Sequence, residues 1–179
     1  HSKTRLYFGG NYLFRSEDRG NSWTRLGGNK TRQIDRNQLE VMGRVWSVDA
    51  VAKNRSTSIY GNIVSIDESP LVEDLIYIGT DDGLIWMSSD GGQTWKKYES
   101  FKGVPEMSDV TSLTASQHVE DRVYATFSNH KQGDFTPYVL RSDDRGKSWK
   151  SIAGDLPDRG QVHDIVEDHV DGQLLFVGT

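Results

Sequence analysis

The sequence predicts an all-β fold in which sheets of four antiparallel strands repeat along the chain as the blades of a partial β-propeller. Three observations lead to this fold class. One eight-residue pattern occurs three times, β-rich runs precede each copy, and no 3.6-residue periodicity lasts longer than a turn or two. Four strands repeated at intervals of about 40–50 residues are typical of propeller blades. We therefore expect about three blades.

The repeated pattern reads S-x-D-x-G-x-[ST]-W, and we call each copy a box. Its fixed residues are Ser16, Asp18, Gly20 and Trp23, then Ser88, Asp90, Gly92 and Trp95, and finally Ser142, Asp144, Gly146 and Trp149. The aspartate can accept hydrogen bonds from the backbone N–H groups that follow it, and the glycine adopts a left-handed backbone angle without steric cost. The tryptophan then starts the next strand and covers the turn. We interpret the boxes as structural hairpins and expect their three indoles to be substantially buried.

The strand-forming runs divide the chain into blades. A partial blade at 1–28 opens on its second strand, and an insertion follows at 29–61. Complete blades occupy 62–101 and 109–154, and a partial blade occupies 161–179. The thirteen strands of this pattern do not close a disc by pairing their own ends, since closed propellers typically have at least about four blades. We therefore expect the chain to be a segment of a larger propeller, with the rest of that propeller as a partner.

Composition excludes several classes of function. The 21 basic and 26 acidic residues give a net charge of −5, and no Lys/Arg cluster is longer than Lys96-Lys97, which argues against nucleic acid as a partner. The absence of cysteine excludes disulfides, thiolate nucleophiles and thiolate metal sites. No apolar run approaches the roughly 18 residues of a membrane span. No zinc or EF-hand motif occurs, so neither a metal nor a cofactor is predicted.

Loops alternate between the two faces of a blade, and this alternation predicts where a ligand would bind. The boxes lie between the third and fourth strands, so the turns between the second and third strands share the opposite face with the connections between blades. We call this opposite face the rim face. Two insertions, 29–61 and 128–137, fall on it. The candidate binding residues there are Arg44, Trp46, Asp49, Asp81, Asp82, Asn129, His130, Lys131 and Asp134.

A structural interpretation of the same residues stays open. The insertions would then pack on neighbouring blades or on another domain. Trp46 would bury apolar area between blades, with Arg44 and Asp49 as a surface pair. Asp81 and Asp82 would be ordinary turn residues, because Asp-Gly is a common turn pair.

With these motifs, the sequence resembles the BNR or Asp-box propeller superfamily, which includes sialidases, xyloglucanase-type glycoside hydrolases and sortilin-type receptors. Residues 60–84 and 151–157 are similar to large bacterial proteins described as BNR-repeat glycosyl hydrolases or sortilin-like proteins. The resemblance covers essentially the whole chain and is more specific for fold than for activity. It implies a propeller, a location outside the cell or in the cell envelope, and a role in binding or in glycoside hydrolysis.

Two functions follow as hypotheses. The favoured one is a non-catalytic binding or scaffold segment that recognises a protein, peptide or glycan through its rim loops. The alternative is a glycoside hydrolase, which needs two carboxylates about 5–9.5 Å apart. The carboxylates that could approach the rim are Asp49, Asp81, Asp82, Glu106, Asp109 and Asp134. Sialidase activity is disfavoured because the arginines next to the boxes lie on the wrong face to converge on a rim ligand.

Overall fold

The computed structural model describes residues 1–40, 42–53 and 61–179. The predicted fold class is confirmed, since the strands in this part of the chain form four antiparallel sheets of three, four, four and two strands. Each strand pairs only with its neighbours in sequence. Parts of the predicted insertion 29–61, namely 41 and 54–60, lie outside the described residues.

The strands follow the predicted order. The first sheet contains β1 (Leu6–Gly9), β2 (Leu13–Ser16) and β3 (Thr24–Arg25). The second contains β4 (Ile63–Glu68), β5 (Ile76–Thr80), β6 (Ile85–Ser88) and β7 (Lys96–Tyr98). The third contains β8 (Asp109–Ala115), β9 (Val123–Asn129), β10 (Asp134–Ser142) and β11 (Lys150–Ser151). The last contains β12 (Asp164–Glu167) and β13 (Leu175–Gly178). Two short 3-10 helices lie at Arg36–Gln38 and His130–Gln132.

The second predicted insertion, 128–137, is mostly strand rather than loop, which corrects the sequence-based expectation. Strands β9 and β10 extend until Asn129 pairs with Asp134, and the turn between them needs only residues 130–133. Aromatic and β-branched residues on both sides favour strand. A shift in the pairing register between Asp134 and Tyr138 accommodates Pro137, which has no N–H to donate.

The boxes form the expected hairpin turns through one repeated set of hydrogen bonds. In the second box, Ser88 Oγ accepts from Gly92 N (2.8 Å), and Asp90 Oδ1 accepts from Thr94 N (2.9 Å). The Trp95 indole donates to the carbonyl of Gly92 (2.9 Å). The same bonds form in the first and third boxes. Each box is therefore one rigid turn, built by its own side chains.

The backbone of the box departs from the expectation at one position. We expected left-handed geometry only at the glycine, but the residue before it is left-handed as well, with φ of 60° at Arg19, 69° at Gly91 and 61° at Arg145. Left-handed geometry costs an arginine energy that the surrounding bonds must offset.

The box tryptophans are less buried than predicted, and for Trp23 the prediction is wrong. Trp23 is 45% exposed, whereas Trp95 and Trp149 are partly buried against the sheet that precedes them. Trp149 stacks edge-on against Phe101 of the preceding blade, with ring centroids 5.9 Å apart. Trp23 meets Phe8 of its own sheet instead, because no sheet among the described residues precedes β1–β3.

Neighbouring sheets approach closely along their inner strands. A Cβ atom on Gly79 of β5 would lie 2.4 Å from Val110 Cγ1 of β8, so only glycine permits this approach. Polar bonds also join β8 to the last sheet, since Thr114 Oγ1 donates to the carbonyl of Ile165 (2.8 Å). Apolar side chains fill the space between each pair of sheets.

A buried tyrosine–glutamate bond recurs at two of the three sheet junctions. The Tyr7 hydroxyl donates to Glu68 (2.9 Å), and the Tyr124 hydroxyl donates to Glu167 (2.9 Å). At the middle junction, Ala115 occupies the position of the glutamate, as the strand register shows. The hydroxyl of Tyr77, the equivalent tyrosine, is buried and has no hydrogen-bond partner. The middle junction therefore has the tyrosine of the repeat without the glutamate that accepts its hydrogen bond at the other two junctions.

The two tyrosines provide a matched pair of mutations. We expect Tyr124→Phe to lower the free energy of unfolding by about 2 kcal/mol, because buried Glu167 loses one of its donors. Tyr77→Phe should change it by less than about 0.5 kcal/mol or raise it, because the hydroxyl removed has no partner. Urea titrations of both variants test this expectation, and equal losses would contradict the assignment of the bonds.

The box tryptophans provide a second matched pair. Trp149→Ala should cost about 3 kcal/mol of stability, because the ring packs against the preceding blade and its removal leaves a cavity. Trp23→Ala should cost about 1 kcal/mol or less, since no second sheet among the described residues covers that ring. Thermal unfolding of the two variants measures the difference, and a larger loss for Trp23 would refute this packing.

Candidate binding rim

The rim face carries two open cavities that polar and apolar residues line together. The first, about 240 Å³, lies under the start of the insertion, and the second, about 560 Å³, lies beside the first half of β10. The first is lined by Asn11, Asn29, Thr31, Gln33, Ile34, Gly61 and Asp82. The second has apolar residues such as Val104, Pro137 and Leu156, with Lys102 and Asp158 as charged residues in its lining. The volume of the second cavity lies within the range typical of ligand sites, about 300–1,000 Å³.

A charged cluster lies between the second and third blades on this face. Lys131 Nζ lies 3.4 Å from Asp109 Oδ2. Burial raises the pKa of the Asp109 carboxyl, the charge of Lys131 opposes this shift, and the charge of Asp81 adds to it. Asp81, Asp109 and Lys131 therefore act on one another electrostatically, which brings two of the predicted rim residues into one group.

Polar side chains continue from this group towards the last sheet. His130 Nδ1 lies 2.8 Å from Ser128 Oγ, which also contacts Gln161 Oε1 at 3.2 Å. Gln161 Nε2 lies 3.0 Å from His163 Nε2. Four side chains from two blades thus form a continuous row along the rim face.

Asp134 and Asn129 hold the long hairpin together. The Asp134 carboxylate accepts hydrogen bonds from the Tyr138 hydroxyl (2.7 Å), Thr136 N (3.0 Å) and Asn129 Nδ2 (3.2 Å). These bonds, that from Tyr138 above all, keep the pKa of Asp134 well below its usual range. A carboxylate held in this way stays ionised and cannot donate a proton to a leaving group.

Asp82 and Asp81 are buried and bind backbone groups. Asp82 Oδ2 accepts from Arg32 N (2.6 Å), and Arg32 Nε donates back to the carbonyl of Asp82 (2.8 Å). Asp81 Oδ1 accepts from Asn62 N (2.7 Å). The pair therefore fixes both ends of the insertion to the turn between β5 and β6.

Arg44, Trp46 and Asp49 occupy an exposed stretch of the insertion. The Arg44 guanidinium lies over the Trp46 ring, 4.4 Å from its centroid, in a cation–π contact. Lys53 Nζ donates to the carbonyls of Trp46 and Asn37, the latter at 3.0 Å. This arrangement exposes a stacked guanidinium and indole to solvent.

The residue that anchors the insertion was not apparent from the sequence. Lys30 is only 3% exposed, and its ammonium lies between the indoles of Trp86 and Trp95, 5.0 and 4.3 Å from their centroids. Trp86 Nε1 also donates to the Lys30 carbonyl (2.6 Å). Burial lowers the pKa of the lysine to about 8. No local pattern marks such a residue, because its partners lie 56 and 65 positions away.

The titration of Lys30 should be visible in the stability. Between pH 8 and the unfolded value of about 10.5, the unfolded chain binds more protons than the folded chain, so the free energy of unfolding rises with pH. Lys30→Met should remove about 1–3 kcal/mol of this rise. We expect the difference in the free energy of unfolding between Lys30→Met and the unmodified protein to change between pH 7 and 9.5. Urea titrations at several pH values measure this difference. A constant difference would show that Lys30 titrates normally.

The described residues contain no group of three or more His, Asp or Glu side chains arranged to hold a metal ion. Within the same ranges, no helix has the length and apolar character needed to cross a bilayer.

Comparison with known proteins identifies the repeat. The family model of the BNR-Asp box repeat matches residues 13–26 and 140–152, which hold the first and third boxes. The second box is not matched, although its hydrogen bonds are the same. None of the curated proteins compared with the chain matches it.

Solved structures show the same fold at low identity. The GH74 enzyme of Niastella koreensis has a TM-score of 0.62 at 17% identity, covering 98% of this chain and 23% of that one. An ancestral GH74 enzyme has a TM-score of 0.61 at 16% identity, covering 92% and 18%. YCF48 bound to D1 peptide has a TM-score of 0.54 at 14% identity, covering 93% and 41%.

The chain thus spans less than half the length of each of these structures, and at such identities the likeness concerns the fold alone. The matched repeat, the common geometry of the three boxes and the shared fold agree. The chain is a partial β-propeller that contains BNR-Asp box repeats.

Proposed function

We propose that this propeller segment is a binding scaffold whose rim face recognises a peptide or a glycan. The observation that carries the proposal is the unequal use of the two faces. The box face is occupied by turn bonds and ion pairs that build the blades, whereas the rim face holds both mixed cavities and the polar row from His130 to His163. Such a surface supplies shape and polar groups for recognition.

The composition of the rim face favours an extended polar ligand. On this face Asp109 and Lys131 supply charges of both signs, and the row from His130 to His163 adds neutral polar groups. The larger cavity adds apolar contacts beside it. The structures that share the fold include a propeller bound to a peptide and glycoside hydrolases of the GH74 type, which supports both ligand classes.

Two carboxylates of the rim argue against hydrolysis. Asp82 accepts a hydrogen bond from the backbone N–H of Arg32, and the pKa of Asp134 lies below its usual range. Neither could serve as a general acid, which needs a raised pKa and a free position beside the leaving group.

Glycoside hydrolysis is the second candidate, and one observation favours it. Asp81 and Asp109 come from neighbouring blades and influence each other electrostatically, and the pKa of Asp109 is raised. A pair with one raised pKa is the arrangement that acid–base hydrolysis requires. The charge of Lys131 opposes this shift, but the pKa of Asp109 stays above its ordinary value. A location outside the cell or in the envelope remains part of the proposal, on the resemblance alone.

Binding can be tested with two probe sets, xyloglucan oligosaccharides and a random peptide library displayed on phage. We expect one set to yield a ligand whose affinity, measured by calorimetry, falls at least tenfold in Lys131→Gln, because this cation lies beside His130 at the start of the polar row. Lys147→Gln, on the box face, is the matched control and should leave the affinity unchanged.

Three outcomes would overturn the binding proposal. They are an absence of binding to both probe sets, an equal loss of affinity in the two variants, and turnover of xyloglucan that disappears in Asp109→Asn while the glycan still binds. The last of these would establish the hydrolase.

A further inference from the structure

The hydrogen bonds of the polar row determine where its protons lie. The row links His130 to Ser128 (2.8 Å), Ser128 to Gln161 (3.2 Å) and Gln161 to His163 (3.0 Å). A hydroxyl and a neutral imidazole can each donate or accept. The carboxamide of Gln161 has no such choice, because its oxygen only accepts and its nitrogen only donates. Gln161 therefore sets the direction of the whole row.

The amide nitrogen of Gln161 fixes the direction on the side of the last sheet. Gln161 Nε2 donates, so His163 Nε2 has to accept and carries no proton. A neutral imidazole has one N–H, and that of His163 therefore lies on Nδ1. This nitrogen has no hydrogen-bond partner among the described residues, and the side chain is exposed. His163 thus offers a donor to a ligand.

The amide oxygen of Gln161 fixes the direction on the side of the third blade. Gln161 Oε1 accepts, so the single hydroxyl proton of Ser128 points towards it. Ser128 Oγ can then only accept from His130, which places the proton of that imidazole on Nδ1. Ser128 is 2% exposed, so water does not compete for its hydroxyl. The Nε2 atom of the exposed His130 is left as an acceptor.

Backbone contacts hold the two row residues of the last sheet in place. Gln161 and His163 lie on either side of Val162, which is fully buried. The Val162 carbonyl accepts from Thr111 Oγ1 of β8 (2.9 Å), and His163 N donates to the carbonyl of Gly178 in β13 (2.8 Å). The carboxamide therefore meets the third blade from a fixed backbone, and only a rotation of its side chain would reverse the row.

We propose that Gln161 determines the specificity of the rim by fixing both imidazoles in the Nδ1–H form. The rim then presents an acceptor at His130 and a donor at His163. A hydroxyl or an amide N–H fits the acceptor, whereas a carboxylate or phosphate oxygen finds no proton there. The adjacent cation of Lys131 is paired with Asp109. This inference rests on the proposed binding function and names the neutral ligand group that His130 selects.

NMR spectra that correlate the imidazole protons and nitrogens show which nitrogen is protonated. We expect the Nδ1–H form for His130 and His163 at about pH 8.5, well above the ordinary pKa of an imidazole. In Gln161→Met, the Ser128 hydroxyl loses its acceptor and can donate to His130 Nδ1. The proton of His130 should then move to Nε2, and His163 should no longer be held in one form.

Two further variants separate the row from a general effect on the fold. Gln117→Met is the matched control, because Gln117 Nε2 donates to a backbone carbonyl on the box face, and it should leave both tautomers unchanged. Ser128→Ala serves if Gln161→Met does not fold. It removes the partner of His130 alone, so the His130 tautomer should change while Gln161 still holds His163 in the Nδ1–H form.

The same spectra test which ligand groups His130 accepts. Inorganic phosphate should leave the His130 Nε2 signal unchanged. A xyloglucan oligosaccharide or a peptide retained from the phage library should shift it, and which of the two does so distinguishes a hydroxyl from an amide donor.

Three results would overturn the proposal. They are the Nε2–H form for both imidazoles in the unmodified protein, which would mean that the row runs in the opposite direction, an unchanged His130 tautomer in both row variants, and a shift of His130 Nε2 with phosphate. The tautomers are read without any ligand, so their outcome is independent of the binding test with Lys131→Gln.

Discussion

Everything else in these blades depends on the hydrogen bonds that each box aspartate accepts. Its carboxylate accepts hydrogen bonds from the backbone N–H and the side-chain hydroxyl of the residue four positions later. The turn therefore closes through bonds within the box itself. These bonds lower the pKa of Asp18 and Asp90 to about 2, with the hydroxyl bond as the largest cause. The turn then sets the position of the tryptophan ring. The ring and the box glycine together form the surface on which the preceding blade packs.

The same arrangement distinguishes the box face, where charged side chains connect the blades, from the rim face. Around the boxes, Arg5 and Arg15 connect the first two blades through Glu17, Glu68 and Asp74. Charges used in this way are paired within the protein, and exchanging them for a ligand would cost the blades their connections. The rim face lacks the boxes and carries the polar row from His130 to His163.

The sequence was sufficient for the fold because the box acts locally. Five fixed residues determine a turn, and the strands on either side follow from their own composition. It was insufficient wherever contacts cross between blades. Lys30 lies between indoles far away in the chain, the exposure of Trp23 depends on a neighbouring sheet, and the pairing of Asp81 with Asp109 depends on the distance between blades. Of the candidate site, the face was predictable, but the partners of each side chain were not.

The exchange of glutamate for Ala115 at the middle junction has a thermal consequence. Among the described residues, that junction has the largest apolar cluster, with twelve buried residues against five and four at its neighbours, while its tyrosine hydroxyl has no acceptor. Apolar burial weakens on cooling, because its driving force near room temperature is entropic. The outer junctions add a charged hydrogen bond to their smaller clusters. Cooling therefore removes more apolar stabilisation from the middle junction than from either of its neighbours.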